Sequence, residues 1–101
     1  MKDRDMKTPA LEHLAGAYFH QDWYDEFGDE WKAVDAFIAG SPSHVAALPT
    51  EIEALLSETQ SDQAIEAYLD SLGCEYTPTP DQGGYRGWLS EIARRVEAAT
   101  A

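Results

Sequence analysis

A chain of 101 residues has room for one hydrophobic core, because a domain of this length removes roughly two thirds of its unfolded-chain surface from water. Its 19 acidic residues against 7 basic ones leave a formal net charge of -12. That exceeds the magnitude of about 2 to 8 that keeps a small domain dispersed, and it opposes any role that depends on neutralising phosphates. No apolar run approaches the ~18 residues of a membrane span, Met1–Lys7 alternates charges with no apolar stretch behind it, and the single Cys74 has no disulfide partner, so a cytoplasmic protein without a secretory signal is expected.

Residues 1–7 show no hydrophobic periodicity and are expected to fray outside the fold. Thr8-Pro9 reads as N-cap followed by a first-turn proline, opening a helix from Pro9 to Phe19 whose inward face is Leu11, Leu14, Ala15, Tyr18 and Phe19. Tyr18-Phe19-His20-Gln21-Asp22-Trp23 is then a corner. Two rings point inward, the polar trio faces a helix end with unpaired carbonyls, and Trp23 is expected to be at least partly buried. Phe27, Trp31, Val34 and Ile38 fall at i, i+4, i+7 and i+11 with Phe37 beside them, marking a second helix that Gly28-Asp29 starts and Gly40 ends as a left-handed stop.

Ser41-Pro42 repeats the cap-then-proline signal. Val45, Leu48, Ile52, Leu55 and Leu56 keep one helical phase across Pro49, which predicts a single kinked helix that Pro49→Ala would stabilise. Thr50 and Glu53, at capping-box spacing, offer a break instead. After a polar linker, Ile65, Tyr68, Leu69 and Leu72 mark a fourth helix ended by Gly73. Cys74–Thr77 is a short extended piece, Pro78–Gly84 a turn, and Tyr85, Trp88, Leu89, Ile92 and Val96 a last helix. The fold class is all-α: a single compact bundle of about five short helices over residues 8–98, with 99–101 frayed like 1–7.

The residues that carry chemistry in other proteins lack the needed spacing here. His13, His20 and His44 form no Glu-x-x-His or His-Glu-x-x-His pattern, and a histidine at a helix end, as His20 is, more often bonds a free carbonyl than a metal. Cys74 follows a helix C-terminus and precedes Glu75, both of which raise a thiol pKa. No nucleophile elbow or phosphate loop is present, so neither catalysis nor a cofactor is expected. Arg86, Arg94 and Arg95 are too few for a nucleic-acid surface and read as complements to the last helix's C-terminal end and the surrounding acid.

Charge is unevenly spread. Between Thr8 and Tyr85 only Lys32 opposes 15 acids. One acidic set, Asp22, Asp25, Glu26, Asp29 and Glu30, surrounds Tyr24 at the corner, where Asp29 and Glu30 suit a helix N-terminus. The other, Asp62, Glu66 and Asp70, falls at i, i+4 and i+8 along the fourth helix with no base between, a repulsive arrangement whose alternatives are a solvated face and a partner-binding stripe.

The Tyr18–Trp23 string, with Trp31, Ala33-Val34-Asp35, Phe37, Glu51-Ile52, Leu55-Leu56, Gly73-Cys74-Glu75-Tyr76, Gly84-Tyr85 and Trp88-Leu89, closely resembles a family of bacterial contact-dependent growth inhibition immunity proteins over roughly residues 8 to 96. Pro49 departs from that pattern. The resemblance implies a small cytoplasmic protein that binds and neutralises a toxin domain; it carries over no contact residues. Charge suggests that the toxin is basic, as a nuclease would be, and that Asp22, Tyr24, Asp25, Glu26, Asp29 and Glu30, or Asp62, Glu66 and Asp70, meet it, with neither nucleic acid nor membrane as partner. The other reading is an acidic adaptor or nucleic-acid mimic occupying a basic surface of another protein.

Overall fold

The computed structural model describes residues 8–59 and 61–100, so the expected fraying of 1–7 lies outside the described residues. The described chain is helical, 77% in all, with no strand and with five helical stretches of seven residues or more when the first helix and the π turn that continues it are counted as one. Helix α1 (Pro9–His13) continues directly into a π-helical turn, Leu14–Tyr18, before the corner. There follow α2 (Trp23–Phe27), α3 (Glu30–Gly40), α4 (Pro42–Val45), α5 (Leu48–Glu58), α6 (Asp62–Ser71), a 3-10 turn (Pro80–Gln82) and α7 (Gly84–Thr100). Ala99 and Thr100, expected to fray, are the last residues of α7.

The apolar phases read from the sequence point inward. Leu11, Leu14, Phe19, Val34, Phe37, Leu48, Ile52, Leu55, Ile65, Leu69, Trp88, Leu89 and Ile92 are all buried. Helix α7 lies across the centre and packs on α5, α6, α3 and the 3-10 turn, which is why its five-residue apolar stripe is buried throughout. Phe19 sits edge-on to Trp88 at 5.2 Å between centroids, and Tyr76 packs on both rings at 5.6 and 4.9 Å. Trp23, half-buried, closes this cluster against Phe19 and Tyr76. Cys74–Thr77 makes no strand; Glu75 N–H bonds Phe19 O at 2.7 Å, so a loop backbone satisfies the corner carbonyl.

Four local expectations are corrected. The stretch Ser41–Glu58 is not one helix kinked at Pro49. The chain breaks at Ala46-Ala47, and α5 starts at Leu48 with Pro49 in its first turn, where the ring has no preceding-turn carbonyl to clash with and the missing N–H costs nothing. Thr50 is therefore inside α5 and caps nothing. Neither Thr8 nor Ser41 caps with its side chain: Thr8 Oγ1 bonds Tyr68 OH, and Ser41 Oγ bonds His13 Nε2 (2.9 Å) and Tyr18 OH (3.1 Å). Gly40 is not left-handed; its missing Cβ leaves room for Tyr18 OH, 3.1 Å from where that carbon would stand. The corner also contains α2, whose five residues show too little periodicity to announce a helix and which takes Phe27 from the second helix's expected face; Gly28, at φ +80, ends it so that Asp29 can begin α3.

Candidate functional site

The acids divide into those the fold uses and those it leaves unpaired. Asp29 is the N-cap of α3, its Oδ1 accepting from Trp31 N (2.6 Å) and Lys32 N (3.2 Å). Glu30 Oε2 accepts from Gln82 Nε2 at 3.0 Å, tying α3 to the loop before α7, while Gln82 Oε1 accepts from Tyr76 OH and Thr79 N. Asp62, in the first turn of α6, reaches across to cap α7: Oδ2 accepts from Tyr85 N at 3.0 Å and Oδ1 from Arg86 N at 2.9 Å. Glu51 does the same for α1, taking Leu11 N (2.9 Å) and Ala10 N (3.1 Å). Asp29, Asp62 and Glu51 each place a carboxylate at the positive end of a helix and satisfy two orphan N–H groups at once.

The rest of the corner is open. His20 Nδ1 accepts from Asp22 N (3.1 Å), which puts the ring proton on Nε2, and Nε2 donates to Glu26 Oε1 at 2.9 Å. His20 thus bonds an amide and a carboxylate rather than the free helix-end carbonyl expected of it. Tyr24 is 65% exposed, the large hydrophobic residue most open to solvent among the described residues, and its ring is held edge-on by Trp23 at 5.6 Å. Asp22 and Asp25 flank it, exposed, and their carboxylates have no hydrogen-bond or ion-pair partner among the described residues. On α6, Glu66 and Asp70 are likewise exposed and unpaired. The fold therefore separates Asp29, Glu30 and Asp62, which have structural duties, from Asp22, Tyr24, Asp25, Glu66 and Asp70, which have none; Glu26 is shared with His20.

The three arginines of α7 are committed. Arg86 Nη1 and Nη2 donate to Thr59 O (2.6 Å) and Leu56 O (2.7 Å), so this arginine complements the C-terminal end of α5, not of its own helix as the sequence suggested. Arg94 and Arg95 both bond Glu91, and Arg94 first, then Arg95, hold that carboxyl down at about 2. Arg95 also lies over the Trp31 ring, 4.1 Å from its centroid. The Glu91 pairs were missed in the sequence although their i, i+3 and i, i+4 spacings could have found them; the caps by Glu51 and Asp62, spanning some forty and twenty residues, had no sequence signal.

Cys74 is buried, its thiol pushed up to about 11 by desolvation. Among the described residues no three His, Cys, Asp or Glu side chains gather to hold a metal ion, and no helix is long and apolar enough to cross a membrane.

Fold and site together define a small all-helical domain with an acidic, tyrosine-bearing outer face. A family model described as CdiI immunity protein matches residues 7–96, and the chain belongs to that family. Among solved structures it is similar to a chain of the crystal structure of the CdiA-CT/CdiI complex from Y. kristensenii 33638, with 26% identity, a TM-score of 0.78, and coverage of 89% of this chain and 93% of that one. Among curated proteins, none matches this chain.

Proposed function

We propose that this protein works in the cytoplasm as a stoichiometric inhibitor: it binds a toxin domain of the CdiA-CT kind and blocks its active site or its substrate's access. Family membership supports the role, and so does the similar structure, in which CdiI is crystallised with CdiA-CT. The observation that carries the surface is Tyr24, exposed between Asp22 and Asp25, whose carboxylates have no partner among the described residues. Tyrosine is enriched at the energetic centres of interfaces, and its indole neighbour Trp23 holds the ring without covering it. Asp22, Asp25 and Glu26 surround this anchor, and Glu66 and Asp70 form a second acidic patch on α6; Asp29, Glu30 and Asp62 act by holding those surfaces in place.

A toxin that acts on nucleic acid needs a basic cleft for phosphate, and an acidic inhibitor steers toward such a cleft with association rates approaching ~10⁸ M⁻¹s⁻¹ at low salt. The test is charge reversal. Asp22, Asp25 and Glu26 changed together to lysine should leave helicity intact, slow association with the toxin and flatten its salt dependence. Glu66→Lys with Asp70→Lys is the control for the α6 patch. If both variants protect cells as the parent does, the acidic surface is not the interface.

A further inference from the structure

The Tyr24 surface stands on α2, which has five residues and buries none of them. A helix that short is not stable on its own, so its place depends on what its neighbours grip. Phe27 stacks on Tyr18 at 5.7 Å, Glu26 accepts from His20, and Trp23 lies against Phe19 and, edge-on at 5.2 Å, against Tyr76. Tyr76 is buried, and a buried phenol needs a hydrogen-bond partner. Gln82 supplies it: its Oε1 accepts from Tyr76 OH at 2.7 Å and from Thr79 N at 3.0 Å. The nitrogen of the same amide, Nε2, donates to Glu30 Oε2 at 3.0 Å. Glu30 opens α3 directly after the Gly28-Asp29 turn that ends α2. One side chain therefore grips both flanks of α2, the ring wall before Tyr24 and the first turn of the helix after it. A primary amide has the groups for both tasks, an oxygen with two lone pairs and an N–H donor.

We propose that Gln82 is the positioning residue of the Tyr24 surface and holds α2 in one place before the toxin arrives. It acts through Tyr76, Trp23 and Glu30, not by contact with the partner. Affinity then scales with the fraction of molecules in which α2 is in place, so loss of this clamp slows association and leaves dissociation of the formed complex unchanged. The inference rests on the proposed function in taking the Tyr24 surface as the contact; the clamp itself is a property of the free protein.

The test uses the full chain and two variants. Gln82→Met keeps the reach of the side chain and removes its three hydrogen bonds without changing the charge. Exchanging the pair, Gln82→Glu with Glu30→Gln, rebuilds all three, because the carboxylate accepts from Tyr76, Thr79 and the new amide. In the free protein the amides of Glu26 and Gly28 close α2 on Asp22 O and Tyr24 O. Their hydrogen exchange, followed by NMR, should be about tenfold faster in Gln82→Met and return to the parent's rate in the exchanged pair, while the amides of α6 stay unmoved. On a surface carrying a cognate toxin domain of the CdiA-CT kind, Gln82→Met should associate more slowly by about the same tenfold, with dissociation and salt dependence unchanged, and the exchanged pair should bind as the parent does. Equal exchange at Glu26 and Gly28 in Gln82→Met and the parent overturns the clamp, and so does an exchanged pair that behaves like Gln82→Met. Faster exchange with unchanged binding, in a protein whose Asp22, Asp25 and Glu26 reversal does weaken binding, overturns the positioning role. If that reversal has no effect either, or the parent does not bind, the failure lies with the proposed function, and hydrogen exchange alone decides the clamp.

Discussion

Asp62 is the acid whose role changed most between sequence and structure, and Asp62→Ala is the perturbation that decides it. Its two oxygens cap Tyr85 N and Arg86 N at 3.0 and 2.9 Å, the opening amides of the helix that crosses the core. Loss of an N-cap costs about 1 kcal/mol and up to 2, and loss of a negative charge at a helix N-terminus a further 0.3–1 or so. Together these come to about 2 kcal/mol, and for a domain of this size each kcal/mol moves Tm by about 4–8 °C. A thermal melt followed by circular dichroism should therefore fall by roughly 10 °C, with Asp62→Asn between the variant and the parent because the amide keeps an acceptor but not the charge. Gly84 reports on the same contact, since a Cβ there would stand 2.7 Å from Asp62 Oδ2. An Asp62→Ala melt within about 2 °C of the parent refutes the capping assignment and returns Asp62 to the binding surface. For that reason charge reversal on α6 is confined to Glu66 and Asp70, where it does not disturb α7.

Pro49→Ala should leave the melting temperature unchanged or slightly lower. In the first turn of α5 the regained N–H has no carbonyl to meet, and the unfolded chain gains freedom worth about 0.4–1 kcal/mol; a clear rise would restore the single kinked helix. Gly87→Ala should destabilise, although alanine is the better helix former by about 1 kcal/mol, because its Cβ would fall inside the Gln82 carbonyl and 3.0 Å from that carbonyl's carbon. A raised urea midpoint would contradict this. Stability should also decline at high pH. Burial holds Cys74 at about 11 against 9.0 and Tyr76 at about 12 against 10.0, with neighbouring acids adding to both. The folded state keeps protons that the unfolded chain has already released, so this contribution is full below about pH 9 and is lost as pH rises toward 12. A urea midpoint equal at pH 8 and pH 10.5 refutes it.

The inward faces were legible because they repeat within single helices: most residues their spacing selects are buried, while Tyr18, Trp31, Ile38, Leu56, Tyr68 and Leu72 pack partly buried at the core's edge. What was not legible depends on partners distant in the chain. The periodicity across Pro49 continued because α4 and α5 both face the same core, and shared burial does not require a shared helix. Serine and threonine at cap positions were drawn away by Tyr68, His13 and Tyr18, while Glu51 and Asp62 capped from other helices. For the site, charge density did not separate acids that hold the fold from acids that the fold leaves unpaired. That separation needed the hydrogen bonds of Asp29, Glu30 and Asp62 and the exposure of Tyr24.

The central claim is inhibition by direct binding, and it is tested most directly by titrating the purified chain into a cognate toxin domain of the CdiA-CT kind while following toxin activity at two salt concentrations. The account predicts that activity falls to zero at one equivalent, and that association slows as salt rises because acidic residues around Tyr24 guide the encounter. Full toxin activity at a large excess of this protein would contradict it.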